Sequence, residues 1–161
     1  MKKIAIIYSK YTPTIDAIKY TLSEHKVDCF NNEFYSDNDY DLVILSDNNT
    51  KYDGNALACH HSLLPSFDND DPVKSAILEG VKVTGITVYY TNPKKIIAQY
   101  PVFINNNTHY EELRQKLEYL EQTIFPVVIK KIINNEQFEL HSLLNKNQCS
   151  GNCGGCVSCS H

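Results

Sequence analysis

Cysteine side chains are concentrated near the C-terminal end of this sequence. Four of the six cysteines are spaced C-x3-C-x2-C-x2-C among glycine, serine, asparagine and valine: Cys149, Cys153, Cys156 and Cys159. Four thiols this close together can bind one metal centre, because glycine permits tight turns and leaves backbone N–H groups free to bond sulfur. The spacing predicts a cysteine-rich metal-binding segment over 145–161, which follows a folded domain over 1–144.

Two kinds of metal centre fit the four thiols. An iron–sulfur [4Fe–4S] cluster is favoured because clustered cysteines in one loop are typical of ferredoxins, although in a different order of spacings. Zinc is the alternative, but its four-cysteine sites usually combine pairs from separated segments. His141 and His161 are available to replace one thiol. Free thiols with no specific ligand are the third interpretation, and Cys29 and Cys59, which lie in apolar runs, are expected to be core residues.

A second set of reactive side chains lies in the middle of the chain. The stretch ACHHSLLP over 58–65 is followed by GVKVTGITVY over 80–89. These residues resemble the formyltransferase family, which carries Asn-x-His-Pro-Ser-Leu-Leu-Pro and then Gly-x-x-x-Thr-Gly-x-Thr-Val-His. The resemblance is strongest to the members that act on glycinamide ribonucleotide, and it extends over most of residues 1–140.

The resemblance implies a reaction and a set of site residues. In the family, 10-formyltetrahydrofolate gives its formyl group to an amine, the signature Asn and His stabilise the tetrahedral oxyanion, and a distant Asp moves protons. His60 is the retained family histidine, whereas Ala58 replaces the Asn and Asn92 replaces the Asp. Loss of one oxyanion donor typically costs about 10²–10³ in kcat. The resemblance therefore implies impaired or absent formyl transfer. The alternative is an active transferase that formylates glycinamide ribonucleotide or a related amine.

Other residues are candidates to replace the missing catalytic groups. Asn55, or a carboxylate among Asp68, Asp70 and Asp71, is close enough in sequence to act from a different position. A purely structural role is the alternative for His60, because a histidine at the end of a buried strand is often a hydrogen-bonded core residue.

The substrate-binding parts of the family are also altered in this sequence. The family's first turn is rich in glycine and holds a phosphate on backbone N–H groups. The corresponding residues 8–14 contain no glycine, and Lys10 with the hydroxyls of Ser9 and Thr12 are the groups left to hold an anion. The segment that lines the family's folate pocket is reduced to 46–57. His61 stands at the family's proline position and is expected to face solvent or to cap an element.

Composition and charge limit the classes of partner. There are 15 basic and 19 acidic residues, for a net charge of −4, which argues against nucleic acid as a partner. No apolar run approaches the roughly 20 residues of a membrane span, and no leader pattern is present, so we expect a cytoplasmic protein. The expected partners are a small molecule for the domain and a redox or metal-transfer protein for the cysteines. In a third reading the protein is a metal or cluster carrier, and its folded domain only recognises that partner.

The elements that must position these residues follow an α/β pattern. Continuous apolar runs over 4–8 and 40–46 are typical of strands buried on both faces. Weaker runs over 27–30 and 56–59 indicate further strands. The β-rich segments 84–90 and 95–103, which are separated by an Asn-Pro dipeptide, predict an antiparallel hairpin.

Apolar residues at helical spacing predict three helices, over 13–22, 72–79 and 110–133. Pro126 is expected to kink or split the last of them. Strands that alternate with helices and end in a hairpin predict an α/β, three-layer, mixed-sheet domain of formyltransferase-like (Rossmann-like) type, closed by a C-terminal helix.

Overall fold

The computed structural model describes residues 1–32, 39–47, 50 and 52–136. The predicted cysteine segment, with His141 and His161, lies outside the described residues. Along the described chain the elements are β1 (Lys3–Tyr8), α1 (Pro13–Thr21), β2 (Lys26–Asn31), β3 (Leu42–Leu45), β4 (Leu57–His60), α2 (Pro72–Leu78), β5 (Val83–Thr91), β6 (Lys94–Phe103) and α3 (Tyr110–Ile133).

The strands form one mixed sheet in the order β2-β1-β3-β4-β5-β6. The pairs β1–β2, β1–β3 and β3–β4 are parallel, whereas β5 runs antiparallel to both β4 and β6. The short connection at Asn92-Pro93 leaves room only for an antiparallel return, whereas the parallel strands need longer crossovers. The predicted α/β fold with a mixed sheet and a terminal hairpin is confirmed.

Alternation along β1 divides the core into two clusters. Ile4 and Ile6 point into the larger cluster, which also holds the buried residues of all three helices. Ala5 and Ile7 point to the opposite face of the sheet, into a smaller cluster with alternate residues of β3 and β4. Among the described residues the side chains packed over this second cluster are aromatic: Phe30, Tyr40, Tyr52 and Tyr89.

Helix α3 continues through Pro126, so the predicted split in this helix is wrong. Proline removes one intrahelical hydrogen bond. Pro126 is nevertheless buried, and its neighbours Phe125, Val128 and Ile129 are fully buried in the larger cluster. Packing of this apolar face offsets the lost hydrogen bond and keeps the element in one piece. Neither α3 nor any other described helix combines the length and the apolar character that a membrane crossing requires.

Gly85 of β5 lies opposite Pro101 of β6, and the space beside its Cα is filled by β6 and by the loop that follows β4. A Cβ atom at this position would lie 2.1 Å from the Tyr100 carbonyl oxygen and 2.8 Å from Leu63 Cδ2. Only glycine therefore lets β6 and the loop that contains Leu63 close on β5.

We expect Gly85→Ala to lower the free energy of unfolding by about 1–3 kcal/mol, because the added methyl group overpacks a backbone contact. Chemical denaturation followed by circular dichroism measures this change. Lys95→Ala, at an exposed position of β6, is the matched control and should stay within about 0.5 kcal/mol of the parent. Equal stabilities of the two variants would contradict the close approach of the strands.

Candidate functional site

Strand β4 sends successive side chains into two different cavities. Ala58 and His60 line the first cavity, whereas Cys59 lines the second, together with His61 just beyond the strand. This separation follows from the two-residue period of a strand, in which neighbouring side chains point to opposite faces of the sheet. Adjacent residues of one motif therefore serve two separate sites.

The first cavity has a volume of about 290 Å³ and lies at the C-terminal ends of β3 and β4. Polar groups dominate its wall, which is formed by Leu45, Asp47, Thr50, Tyr52, Ala58, His60, Asp68, Asn69, Asp70, Tyr89 and Thr91. In α/β sheets, ligands typically bind in a crevice at this end of the strands. The predicted catalytic histidine is thus located in a cavity with the topology of a binding site.

His60 is 4% exposed, and its ring is held by the loop that follows it. Nε2 donates a hydrogen bond to the Phe67 carbonyl oxygen at 3.0 Å, because a carbonyl can only accept. A neutral imidazole carries one N–H, so this bond uses the donor of the ring and leaves Nδ1 as an acceptor. Phe67 has φ of 52°, a left-handed conformation that is unfavourable for a bulky residue and that the bond helps to hold.

Burial lowers the pKa of His60 below its ordinary value. The hydrogen bond to Phe67 and the negative charge of Asp68 act in the opposite direction, and the positive charge of Lys94 adds to the lowering. The net direction keeps the ring neutral at neutral pH. A neutral His60 with a free Nδ1 acceptor is suited to take a proton and poorly suited to stabilise an oxyanion.

A buried hydroxyl fixes the loop over 61–67. Thr87 Oγ1 donates to the Ser62 carbonyl at 2.6 Å and accepts from the Leu64 backbone N–H at 3.0 Å. Gln99 Nε2 donates to the same hydroxyl at 3.1 Å and to the Leu64 carbonyl at 2.8 Å. Since Thr87 is fully buried, these bonds anchor the loop to β5 and β6 and thereby place the Phe67 carbonyl beside His60.

Two of the four substitute groups named in the sequence reach this cavity. Asp68 and Asp70 line it, and the Asp68 carboxylate forms an ion pair with Lys94 at the rim. Asp71 instead caps α2 by accepting the Lys74 backbone N–H at 3.0 Å. Asn55 is exposed and lies outside the cavity walls.

Asn92, which the resemblance assigns to the position of the family's Asp, is not among the residues that line the cavity either. It is exposed at the β5–β6 turn, where its Nδ2 donates to the Asp53 carbonyl at 3.1 Å. The neighbouring Lys94 lies instead 5.4 Å from the centroid of the Tyr89 ring. The turn therefore places the ammonium group of Lys94 at the rim of the cavity, whereas the carboxamide of Asn92 lies away from it.

The second cavity, of about 410 Å³, lies between the β1–α1 turn and α3. Its wall is formed by Lys10, Tyr11, Thr12, Pro13, Thr14, Ser46, Asp47, Cys59, His61, Glu118, Glu121 and Gln122. Burial raises the pKa of the Cys59 thiol well above its ordinary value, which keeps it protonated, so Cys59 is a core residue as predicted. Among the described residues, Asp47 alone lines both cavities.

His61 has a structural partner that its sequence position does not indicate. Its Nε2 lies 2.5 Å from Oε2 of Glu121 on α3, and both side chains are less than one-fifth exposed, at 19% and 12%. The expectation that His61 faces solvent or caps an element is therefore wrong. This contact links the residue that follows β4 to α3.

The half-buried carboxylate of Asp47 is hydrogen-bonded to the β1–α1 turn. Its carboxylate accepts from the Ser9 backbone N–H at 2.7 Å, from the Ser9 hydroxyl at 2.8 Å and from the Lys10 backbone N–H at 3.4 Å. Burial alone would raise the pKa of Asp47, but these bonds and one from Thr50 outweigh burial and lower it. Ser9, predicted as an anion-binding hydroxyl, is thus engaged by a residue of the chain itself.

The fold is that of the α/β formyl transferase family. The model of the formyl transferase family matches residues 3–129, and the chain belongs to that family. Over 88 residues it is 40% identical to the phosphoribosylglycinamide formyltransferase of Bacillus subtilis. This alignment covers 51% of this chain and 44% of the relative. Over 84 residues it is 31% identical to the methionyl-tRNA formyltransferase of Staphylococcus epidermidis. This alignment covers 50% of this chain and 27% of the relative.

A solved structure supports the same fold. The phosphoribosylglycinamide formyltransferase of Brucella melitensis superimposes with a TM-score of 0.71 at 17% identity, over 86% of this chain and 98% of that one. By sequence, the matched region spans less than half of the length of these curated relatives. The names of the two curated relatives give different substrates, phosphoribosylglycinamide in one and methionyl-tRNA in the other.

Sequence reasoning missed three features of the two cavities. The Asp47 carboxylate, the His61–Glu121 pair and the Thr87–Gln99 anchor all join residues that are far apart in the chain. One local signal was present, since Asp47 follows directly on the apolar strand that ends in Ser46. Among the described residues, no group of three or more His, Cys, Asp or Glu side chains could hold a metal ion.

We expect the NMR titration midpoint of the His60 ring to lie below the ordinary value of 6.5. Asp68→Asn should lower it further, because the carboxylate favours the protonated ring, and Lys94→Gln should raise it. Because the two variants are expected to shift the titration midpoint in opposite directions, each serves as the control for the other. A midpoint at or above 6.5 would contradict the burial of His60, and shifts of equal sign would contradict the placement of the two charges beside it.

The lowered pKa of His60 also makes the stability depend on pH. As the pH falls through 6.5, His60 is protonated in the unfolded chain before it is protonated in the folded protein, so the free energy of unfolding should decrease. Chemical denaturation at several pH values measures this decrease.

Proposed function

We propose that this protein is a formyltransferase-family member with impaired or absent formyl transfer, whose first cavity binds a small molecule. The observation that carries the proposal is that neither of the two residues at the family's donor positions, Ala58 and His60, offers a free N–H group to the cavity in the described structure. Ala58 contributes a methyl group to the cavity wall, and the N–H of His60 is already bonded to Phe67. A tetrahedral oxyanion at this site would therefore lack both donors that the family reaction requires.

The proton-transfer half of the reaction is weakened as well. Asn92 is held outside the cavity by its bond to Asp53, and an amide cannot act as a base near neutral pH. Asp68 lies at the cavity rim, where its carboxylate is paired with Lys94. Because this ion pair engages the carboxylate at the rim, Asp68 is a poor substitute for the family's Asp.

Membership of the family implies a folate-derived formyl donor, 10-formyltetrahydrofolate, if transfer occurs. Several polar groups that could orient a bound ligand remain in the first cavity, among them the side chains of Asn69, Asp70 and Tyr89. Cavities with a few convergent polar groups are typical of small-molecule sites. Binding without efficient turnover is therefore the function that this arrangement supports.

A second activity is proposed for the cysteine segment. Cys149, Cys153, Cys156 and Cys159 are spaced within one short glycine-rich stretch, which supports an iron–sulfur cluster, with zinc as the alternative occupant. The segment follows a domain whose own reaction is weakened. We therefore propose a role in redox, cluster transfer or metal sensing, with a redox or metal-transfer protein as partner.

Purified protein incubated with 10-formyltetrahydrofolate and glycinamide ribonucleotide should form product about 10²–10³ times more slowly than the Bacillus subtilis relative, because an oxyanion donor is missing. Ala58→Asn should raise the rate by supplying one donor. Asn92→Asp is the matched control and should leave the rate unchanged, since the side chain lies outside the cavity. Product formation is followed by the absorbance of the released folate.

A different outcome would support the active transferase. Turnover within about tenfold of the relative, abolished by His60→Ala, would contradict the proposed loss of activity. If Asp68→Asn abolished it as well, that carboxylate would be the substitute base.

Anaerobic reconstitution with iron and sulfide should produce a broad charge-transfer absorbance at about 400 nm. Cys153→Ser and Cys156→Ser should each reduce the absorbance and the bound iron. Cys29→Ser, at a half-buried cysteine of β2, is the control and should change neither. If zinc binds instead, metal analysis will find zinc and the absorbance will be absent; a signal unaffected by the Cys153 and Cys156 variants would exclude the cluster.

A further inference from the structure

The hydroxyl of Thr87, a fully buried residue of β5, has all of its hydrogen-bonding positions in use. A hydroxyl has one donor and two acceptor positions. The donor is used by the Ser62 carbonyl, and the acceptors are used by the Leu64 backbone N–H and by Nε2 of Gln99. Gln99 itself also donates to the Leu64 carbonyl. The hydroxyl is therefore the point at which the loop over 61–67 is joined to the sheet.

The loop extends this connection from Thr87 to the ring of His60. Within the loop, the Ser62 hydroxyl donates to the Ser66 carbonyl at 2.5 Å. The next carbonyl along the chain, that of Phe67, accepts the hydrogen bond from Nε2 of His60. Thr87 is thus linked to His60 by a series of hydrogen bonds, although it is not among the residues that line the first cavity.

The other ring nitrogen of His60 faces the first cavity without a partner in the chain. Because Nε2 gives its proton to Phe67, Nδ1 of the neutral ring carries a lone pair. Within the described part of the chain, Nδ1 of His60 is not among the buried polar atoms that lack a partner. Since His60 lines the first cavity, Nδ1 is the nitrogen that can accept a proton or a hydrogen bond there.

We infer that Thr87 is a positioning residue of the first cavity, which acts through the loop to hold His60 in its Nε2–H form. A neutral imidazole carries its proton on either nitrogen, and the hydrogen bonds of the ring decide which one. By fixing the loop, Thr87 fixes the Phe67 carbonyl as the acceptor for Nε2–H, and Gln99 supports it from β6. Nδ1 is thereby kept as the acceptor toward the cavity. The inference concerns the ring alone and does not depend on whether formyl transfer occurs.

NMR of the ring nitrogens, in the whole protein with isotope-labelled histidine, tests this inference at a pH above the titration midpoint of the ring. His60→Gln assigns the signals. In the parent protein, the Nε2–H proton should be observed and Nδ1 should carry no proton. Thr87→Val keeps the shape of the side chain, which lies opposite His60 in the β4–β5 register, but removes the hydroxyl. The Nε2–H proton should then exchange with water at least about tenfold faster, because the Phe67 carbonyl is no longer held in place.

Three further variants separate positioning from packing. Thr84→Val is the matched control, because Thr84 is also buried on β5, whereas its hydroxyl has no hydrogen-bond partner among the described residues. It should leave the ring signals of His60 unchanged. Thr87→Ser keeps the hydroxyl and removes only a methyl group, so it should restore the slow exchange that Thr87→Val loses. Gln99→Met removes the second support of the loop and should accelerate the exchange in the same direction as Thr87→Val.

Each result decides the inference. A parent ring that is protonated on Nδ1, or that averages between the two forms, would overturn it. So would a Thr87→Val ring that matches the parent, a Thr87→Ser ring that matches Thr87→Val, or an effect of Thr84→Val as large as that of Thr87→Val. Thermal unfolding checks that each variant is folded, and if Thr87→Val is not, the comparison of Gln99→Met with the parent still decides the outcome.

Discussion

The alternation of side chains along β4 is the constraint on which both cavities depend. The strand is buried over its whole length, and it lies between β3 and β5, where the sheet changes from parallel to antiparallel. Because neighbouring side chains must point to opposite faces, His60 enters one cavity and His61 enters the other. A shift of the register by one residue would exchange them and would place an ion-pairing group in the first cavity.

The loop after β4 is fixed by interactions that have no direct part in chemistry. Thr87 and Gln99 bond its backbone from two neighbouring strands, and the small Gly85 lets β6 approach closely enough for this. The loop in turn presents the Phe67 carbonyl to His60. The position of His60 is thus maintained by the hairpin, whereas the N–H donor of its neutral ring is used by the loop. Retention of the fold and retention of the reaction are separable for this physical reason.

Several charged groups of the two cavities are engaged by other groups of the chain. A carboxylate of the chain binds the first turn, and Glu121 is paired with His61 across the second cavity. These interactions satisfy groups that would otherwise be available to a ligand. The domain therefore combines the architecture of the formyl transferase family with cavities in which several charged groups already have partners in the chain.

The sequence by itself determined the order of the elements, the hairpin at Asn92-Pro93 and the position of His60 at the end of a buried strand. These follow from local patterns, namely apolar runs, turn residues and one motif. Only the tertiary structure decided which side chains share a cavity: Glu121 meets His61 from 60 residues away, and Asp47 meets Ser9 from 38. Such contacts depend on strand order and helix packing, which no local spacing encodes. The four late cysteines remain a prediction of the sequence, since they lie outside the described residues.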